Sequence, residues 1–310
     1  MDNYLGIEIG GTKIQLVVSD ENLNVLDHSH FFVGQIKEAN SIRKKLEKKV
    51  VKLLSERSIK SIGVGFGGPI HPKTGQIYQS FQVEGWEGFN LKNWLSEKSG
   101  VPIFVDNDAN IAALAESTLG SGKSYGSVFY ITLGSGIGGG LVLNSEIYHG
   151  REPGEFEIGH IRIDKSGTTL ESCCSGWALN SQLKLYIENH PESLLAKYAG
   201  EDSENGSKYL YKAYQDGDRH ADLIFHEMID NLAFGLSHLI HLVNSEVIII
   251  GGGLSLMGEY LKVRLEDSLQ KHLMEPMKNN LPDIKMAELG ELVVPLGAIL
   301  HTINEMKKNS

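Results

Sequence analysis

Residues 104–116 read FVDNDANIAALAE: a strand-like apolar start, an alanine-rich helical finish, and Asp106, Asn107, Asp108 and Asn110 crowded at the join. An Asp or Asn at a helix start accepts a hydrogen bond from a free backbone N–H and suits the positive end of the helix dipole. One residue is enough for that task. Two carboxylates and two amides exceed it, and the rest of the chain decides what the surplus is for.

The chain has 310 residues, long enough for two domains. With 41% hydrophobic and 22% charged residues it has the composition of a folded globular protein. A net charge of −10 argues against a nucleic-acid partner, because neutralising phosphates needs clustered Lys and Arg. The densest basic run, RKKLEKKVVK at 43–52, alternates with apolar residues at helical spacing and reads as a solvated helix face. The start MDNYLGIEIGG has neither a basic leader nor an apolar core, and the most apolar stretch, 127–143, is short and broken by glycines. A cytoplasmic protein with no membrane partner is the expectation. The two cysteines, Cys173 and Cys174, are neighbours, which disfavours a structural disulfide.

Apolar, β-branched runs at 4–9, 14–19, 61–66 and 101–105 read as strands, with a crossover helix over 41–58 and another over 108–119. A second set starts with strands over 127–134 and 139–148. Helical patterns follow near 176–189 and 221–243, then a strand over 246–253 and a final helix over 296–306. Two α/β halves of similar plan are expected. The segment GEDSENGSKY at 200–209 is the most loop-like of the chain.

Three glycine clusters each follow an apolar strand: GIEIGGTK (6–13), ITLGSGIGGG (131–140) and VIIIGGGLS (247–255). Glycine lets a backbone turn tightly and approach a ligand closely, and successive exposed N–H groups seat an anion. None matches the P-loop ending, and the residues after 134–138 read as strand, where a dinucleotide fingerprint would open a helix. That disfavours a dehydrogenase and fits a hairpin that grips phosphate.

In these residues the chain resembles the ROK (repressor, ORF, kinase) sugar kinases, of the actin/Hsp70/hexokinase-like ATPase superfamily. GIEIGGTK is similar to the first phosphate loop of that family, VDNDANIAALAE to its catalytic strand-to-helix junction, and ITLGSGIGGGLVLNSEIYHG to its second phosphate loop. GEFEIGH (154–160) resembles its sugar segment, and VIIIGGGLS the turn over adenosine. The five motifs occur in the family's order over nearly the whole chain. The resemblance implies a two-lobed α/β fold with a cleft between lobes, the first lobe being 1–116 plus 295–310 and the second 117–294.

It also implies roles. Asp108 is the general base that accepts the proton of a sugar hydroxyl during phosphoryl transfer, and Asn107 donates and accepts toward two hydroxyls. Gly10, Gly11 and Thr12 contact phosphate, as do Thr132, Gly134, Ser135 and Gly136, while Gly252 and Gly253 cover the adenosine. Lys13 either adds charge there or is a surface lysine. Glu8 stands where the family usually has Asp, and an outer-sphere role at the Mg2+ of ATP survives the longer arm. Glu157 and His160 resemble sugar-hydroxyl ligands, and Gly68 and Pro69 a loop over the sugar.

One segment departs from the family pattern. Where most members carry spaced cysteines that hold zinc with a His, this chain reads ESCCSGWALNSQ (171–182), and two adjacent thiols cannot supply a tetrahedral site. Zinc is not expected. The family's glutamate for the sugar is lost from the same segment; Asn180 stands near its place, with Gln182 as a second candidate. The expectation is ATP-dependent phosphorylation of a hexose, most simply glucose at O6. Other hexoses, N-acetylated hexoses, a cyclitol, polyphosphate as donor, or a catalytically silent sugar sensor are the alternatives. A homodimer is implied. A repressor role is disfavoured, since the first loop starts at Gly6 with no room before it for a DNA-reading helix.

Overall fold

The first glycine turn joins two antiparallel strands, β1 (Asn3–Ile9) and β2 (Lys13–Ser19), paired Ile7 to Leu16 and Glu8 to Gln15. In this computed structural model the described residues are all but 1, 35–37, 81–82, 152–153, 155 and 309–310. Next along the chain come β3 (Val25–Phe32), α1 (Ala39–Glu56), β4 (Ile59–Phe66), α2 (Leu91–Ser99), β5 (Ile103–Asn107) and α3 (Asp108–Thr118). The strands form one sheet in the order β3-β2-β1-β4-β5, with β1, β4 and β5 parallel. Helix α1 buries Ile42, Leu46, Val50 and Leu53, a stripe at helical spacing that serves as the crossover between antiparallel and parallel strands.

The second series is β6 (Ser127–Leu133), β7 (Ile137–Leu143), β8 (Glu146–Ile147), α4 (Leu170–Cys174), α5 (Gly176–Asn189), α6 (Leu194–Ala199), α7 (Ser207–Gln215), α8 (Arg219–Leu242), β9 (Val247–Gly251), α9 (Glu259–His272), α10 (Glu275–Lys278), β10 (Asp283–Met286) and α11 (Val293–Lys308). Its sheet runs β10-β9-β6-β7-β8. All five residues of β9 are buried, as expected of a central parallel strand with both faces covered. The chain divides into two compact units, 1–126 with 140–155 and 288–310, and 127–139 with 156–287. The division falls inside β7 and returns the C-terminal helix to the first unit.

Helix α11 joins the first unit through missing side chains. A Cβ on Gly63 would run into the carbonyl oxygen of Ala298, one on Gly6 into that of Pro295, and one on Gly297 into that of Ile111. Glycines on the sheet and on the helix bring α11 against β1, β4 and α3.

Four elements differ from the sequence expectations. Strand β3 carries no strand signal because only Phe31 of its eight residues is buried. Helix α2 buries only Leu91 and Leu95. The loop expected over 200–209 contains a 3-10 turn at Ser203–Asn205 and the first residues of α7, which buries Leu210 and Ala213. The strand expected over 139–148 is broken by Asn144 and Ser145, both with positive φ, so that β8 is a separate antiparallel return.

Gly63→Ala tests the packing of α11. It should destabilise the protein by about 3 kcal/mol, since an overpacked backbone contact cannot relax by rotating a side chain. The denaturant midpoint measures this, and an unchanged midpoint would refute the close approach.

Candidate active site

Strand β5 ends in Asp106–Asn107 and α3 begins at Asp108, and the three side chains have three different surroundings. Asn107 is the cap: its Oδ1 accepts from the backbone N–H of Ala109 at 2.8 Å and of Asn110 at 3.3 Å, while its Nδ2 donates to the Gly68 carbonyl at 3.2 Å. The expected exchange with two sugar hydroxyls therefore meets an amide largely engaged within the protein, with one N–H beyond these bonds. Asp106 points into the core, 1% exposed. Its Oδ2 lies 2.7 Å from His149 Nε2, and its Oδ1 accepts from Asn107 N at 2.7 Å and Asn110 Nδ2 at 3.0 Å. Burial on its own would raise the Asp106 pKa. The hydrogen bond and charge of His149, helped by His301 and Asn110, outweigh it and hold the carboxyl below the usual range.

Asp108 is the third of these side chains. It is half-buried at the first position of α3. A Cβ built on Gly67 would lie 3.3 Å from Asp108 Oδ2 and 3.6 Å from Gly10 Cα, so the carboxylate and the first glycine turn flank the same spot. A side chain at Gly68, whose φ is 152°, would stand 2.8 Å from the Gln79 carbonyl. Pro69, which follows it, accepts from Tyr78 N at 3.0 Å. Both belong to the same unit as Asp108.

The turn of Gly10, Gly11 and Thr12 is closed by Gly10 N donating to the Lys13 carbonyl at 3.2 Å, with Thr12 exposed. Glu8 lies beside it, its carboxylate accepting from Gln15 Nε2 at 2.6 Å. Burial pushes the Glu8 carboxyl up, against the opposing effects of that hydrogen bond and the Lys13 charge. Lys13 Nζ is 3.0 Å from Glu291 Oε2, a carboxylate the sequence did not single out; at 80% exposure of the glutamate the pair contributes little to stability.

In the second unit the turn 134–136 is closed by Gly134 N donating to the Gly136 carbonyl at 3.0 Å. The irregular segment 171–177 braces it. Glu171 Oε2 accepts from Ile137 N at 2.7 Å, and Gly176 N and Trp177 N donate to the carbonyls of Gly134 at 2.8 Å and Ser135 at 3.3 Å. Gly252 has a φ of 82°, and a Cβ there would be 2.5 Å from the Leu133 carbonyl carbon; only glycine suits both constraints. Thr132 on β6 pairs with Gly251 beside it.

A cavity of about 530 Å³ opens at this point, lined by Gly134, Ser135, Trp177, Asn180, Tyr211 and Gly253 among others. Asn180 is thereby grouped with the phosphate turn and adenosine turn, where the sequence had put it with the sugar. Its Oδ1 accepts from Ser207 N at 2.9 Å. Glu157 is half-buried and His160 exposed, on the 3-10 turn Ile158–His160. Gly159 presses that turn onto β7, where a Cβ would meet the Ile137 carbonyl. Phe156 adopts a left-handed backbone with φ of 54°, its ring edge-on to Phe129 at 5.7 Å. Glu155 of the same motif lies outside the described residues.

The thiols do not make a zinc donor set. Cys174 is buried and its Sγ donates to the Met228 carbonyl at 3.4 Å, so it is held as a neutral thiol, with burial raising its pKa well above the usual value. Cys173 is half-buried. Among the described residues no group of three or more His, Cys, Asp and Glu is arranged to hold a metal ion, and no helix is long and apolar enough to cross a membrane.

His149→Ala tests the Asp106 network. Ionised Asp106 has a pKa lowered from 3.8 in the folded protein, so its stabilisation is present at neutral pH and is lost as pH falls through the folded value. Without His149, burial is opposed only by the weaker effects of His301 and Asn110, and the loss begins at higher pH. The variant should lose about 3 kcal/mol at pH 7, the cost of breaking a buried pair from one side. Urea unfolding across the acid range reads both effects, and profiles identical to the parent protein's would refute them.

The ROK family model matches residues 4–304. A glucokinase of Halalkalibacterium halodurans is 31% identical over 324 aligned residues, covering 99% of this chain and 98% of that protein. A xylose repressor of Caldicellulosiruptor bescii is 24% identical, covering 98% of this chain and 79% of the repressor. The crystal structure of a ROK family glucokinase from Streptomyces griseus, in complex with glucose and AMPPNP, superposes with a TM-score of 0.84 at 28% identity, over 96% of this chain and 98% of that one. With the family model matched almost end to end and the fold of its sugar kinases reproduced, the chain belongs to the ROK family.

Proposed function

We propose that the protein transfers the γ-phosphoryl group of ATP to a hexose, with glucose O6 as the first acceptor to test. The observation that carries this reading is the Asp108 carboxylate, at the first position of α3 and set beside the Gly10 turn. The glucokinase relatives, one of them solved with glucose and AMPPNP, support the substrate class.

Each unit supplies part of the chemistry. In the first, the acceptor oxygen attacks the γ-phosphorus and its proton passes to Asp108; the bond to the β-phosphate oxygen breaks and ADP leaves. The N–H groups of Gly11 and Thr12 are donors for phosphate oxygens, that of Gly10 being engaged by the Lys13 carbonyl. In the second, the 134–136 turn offers further amides, and the 530 Å³ cavity, with Trp177 and Tyr211 in its wall, is suited to the adenosine. Asn180 then belongs with the nucleotide. Glu157 and His160 are assigned to the sugar by the motif they share with the family, together with the remaining Asn107 N–H.

The Mg2+ of the nucleotide neutralises charge developing on the transferred phosphoryl oxygens. Glu8 is the residue that would hold it through water: a half-buried carboxylate whose pKa is raised by desolvation is one that a cation relieves. The same reading has the protein working in the cytoplasm as a homodimer on small molecules.

A coupled assay for ADP release over a panel of hexoses, with polyphosphate as a second donor, tests the proposal. Sugar-dependent turnover is expected, and Asp108→Asn should reduce kcat by roughly 10³-fold with KM changed little. Turnover on no sugar, or turnover indifferent to the substitution, would sink it. Glu8→Gln separates stability from function. The raised pKa means that ionised Glu8 opposes folding as pH climbs above 4.5, so the variant should melt higher than the parent at pH 7, while its Mg2+ requirement for turnover rises.

A further inference from the structure

The first unit holds a second cavity of about 700 Å³, between the loop after β4, helix α2, the β7–β8 turn and the end of α11. Its wall carries Lys73, Lys92, Lys307 and Lys308 against only two carboxylates, Glu146 and Glu305. Both carboxylates are taken by one lysine, with Lys308 Nζ 3.2 Å from each. Among the described residues Lys73, Lys92 and Lys307 form no salt bridge. In a protein of net charge −10 such a local excess of cations runs against the average.

The lysines are also partly fixed in place. Lys92 Nζ donates to the Lys73 carbonyl at 2.9 Å and lies 5.8 Å from the centre of the Phe104 ring, so its half-buried ammonium faces the cavity at reduced entropic cost. Two imidazoles, His149 and His301, complete the wall.

We infer that this cavity binds a phosphate monoester dianion. An anion of two charges matches the excess of cations over carboxylates. A tetrahedral group with several acceptor oxygens suits ammonium donors arriving from three separate elements, whereas a planar carboxylate would engage fewer. The volume admits a hexose ring beside the phosphate. Two sources share this chemistry: inorganic phosphate, and a hexose phosphate, the latter source alone resting on the proposed kinase activity. An occupant would also touch the wall formed by His149, whose other side bonds Asp106 and through it Asn107 N, next to the reacting carboxylate.

Isothermal titration calorimetry at low ionic strength, with inorganic phosphate and with glucose 6-phosphate in separate arms, tests the site on the intact chain. The parent protein should bind at least one of them. Lys92→Gln/Lys307→Gln should weaken binding by about tenfold or more, as expected for losing charged hydrogen-bond donors. The charge-preserving Lys92→Arg/Lys307→Arg should retain it. Heat that is absent, or unchanged in the glutamine variant, overturns the site, since anions held at the glycine turns do not depend on these lysines. Lysine-dependent phosphate binding in a protein that turns over no sugar would reject the kinase reading and leave this one standing.

Discussion

A carboxylate almost sealed from water has to be compensated or the fold will not keep it, and Asp106 is the place where this protein accepts that constraint. Its two oxygens take His149, the Asn107 amide and the Asn110 side chain. These bonds fix the direction in which β5 hands over to α3. With the strand end pinned, Asn107 is left over the helix mouth as its cap and Asp108 takes the first position of the helix. One short sequence thus separates duties that a single carboxylate could not combine: Asp106 anchors, Asn107 caps, and Asp108 opens the helix beside the first glycine turn.

The far end of the same helix is tied just as firmly. Glu116, fully buried, accepts from the backbone N–H of Glu288 and Leu289, both at 2.9 Å, and from that of Ser121 at 3.0 Å. A helix held at both ends by buried acids, and pressed along its length by α11 through Gly297, has little freedom to tilt. Such rigidity would serve the role proposed for Asp108, because misplacement of the order of 1 Å costs about 10²-fold in rate.

Much of this was legible in the sequence because it is local. Glycine after an apolar strand, and polar residues at a helix start, state their geometry within a few positions. What escaped notice depends on partners far along the chain. His149 lies 43 residues from Asp106, and Glu171 lies 34 from Ile137, and nothing near either residue marks it as a partner. Strand β3 and helix α2 bury too few side chains to carry a periodic signal. Helix α7 hides in a segment of loop-like composition because its start is secured by the Asn180 side chain, 27 residues away. That Asn180 lines the same cavity as Ser135 and Gly253 was hidden for the same reason: position along a segment does not tell which face of a helix looks into a cavity.

The stretch where family members use spaced cysteines is fastened here by other means: a glutamate on a backbone amide, two amides on turn carbonyls, and a thiol closed off inside the unit. None of these links exchanges electrons or ligands with the surroundings. The shape of the 134–136 turn is therefore tied to hydrogen bonds within its own unit, so that the Glu171 carboxylate and the 176–177 backbone share the load that one residue could not carry.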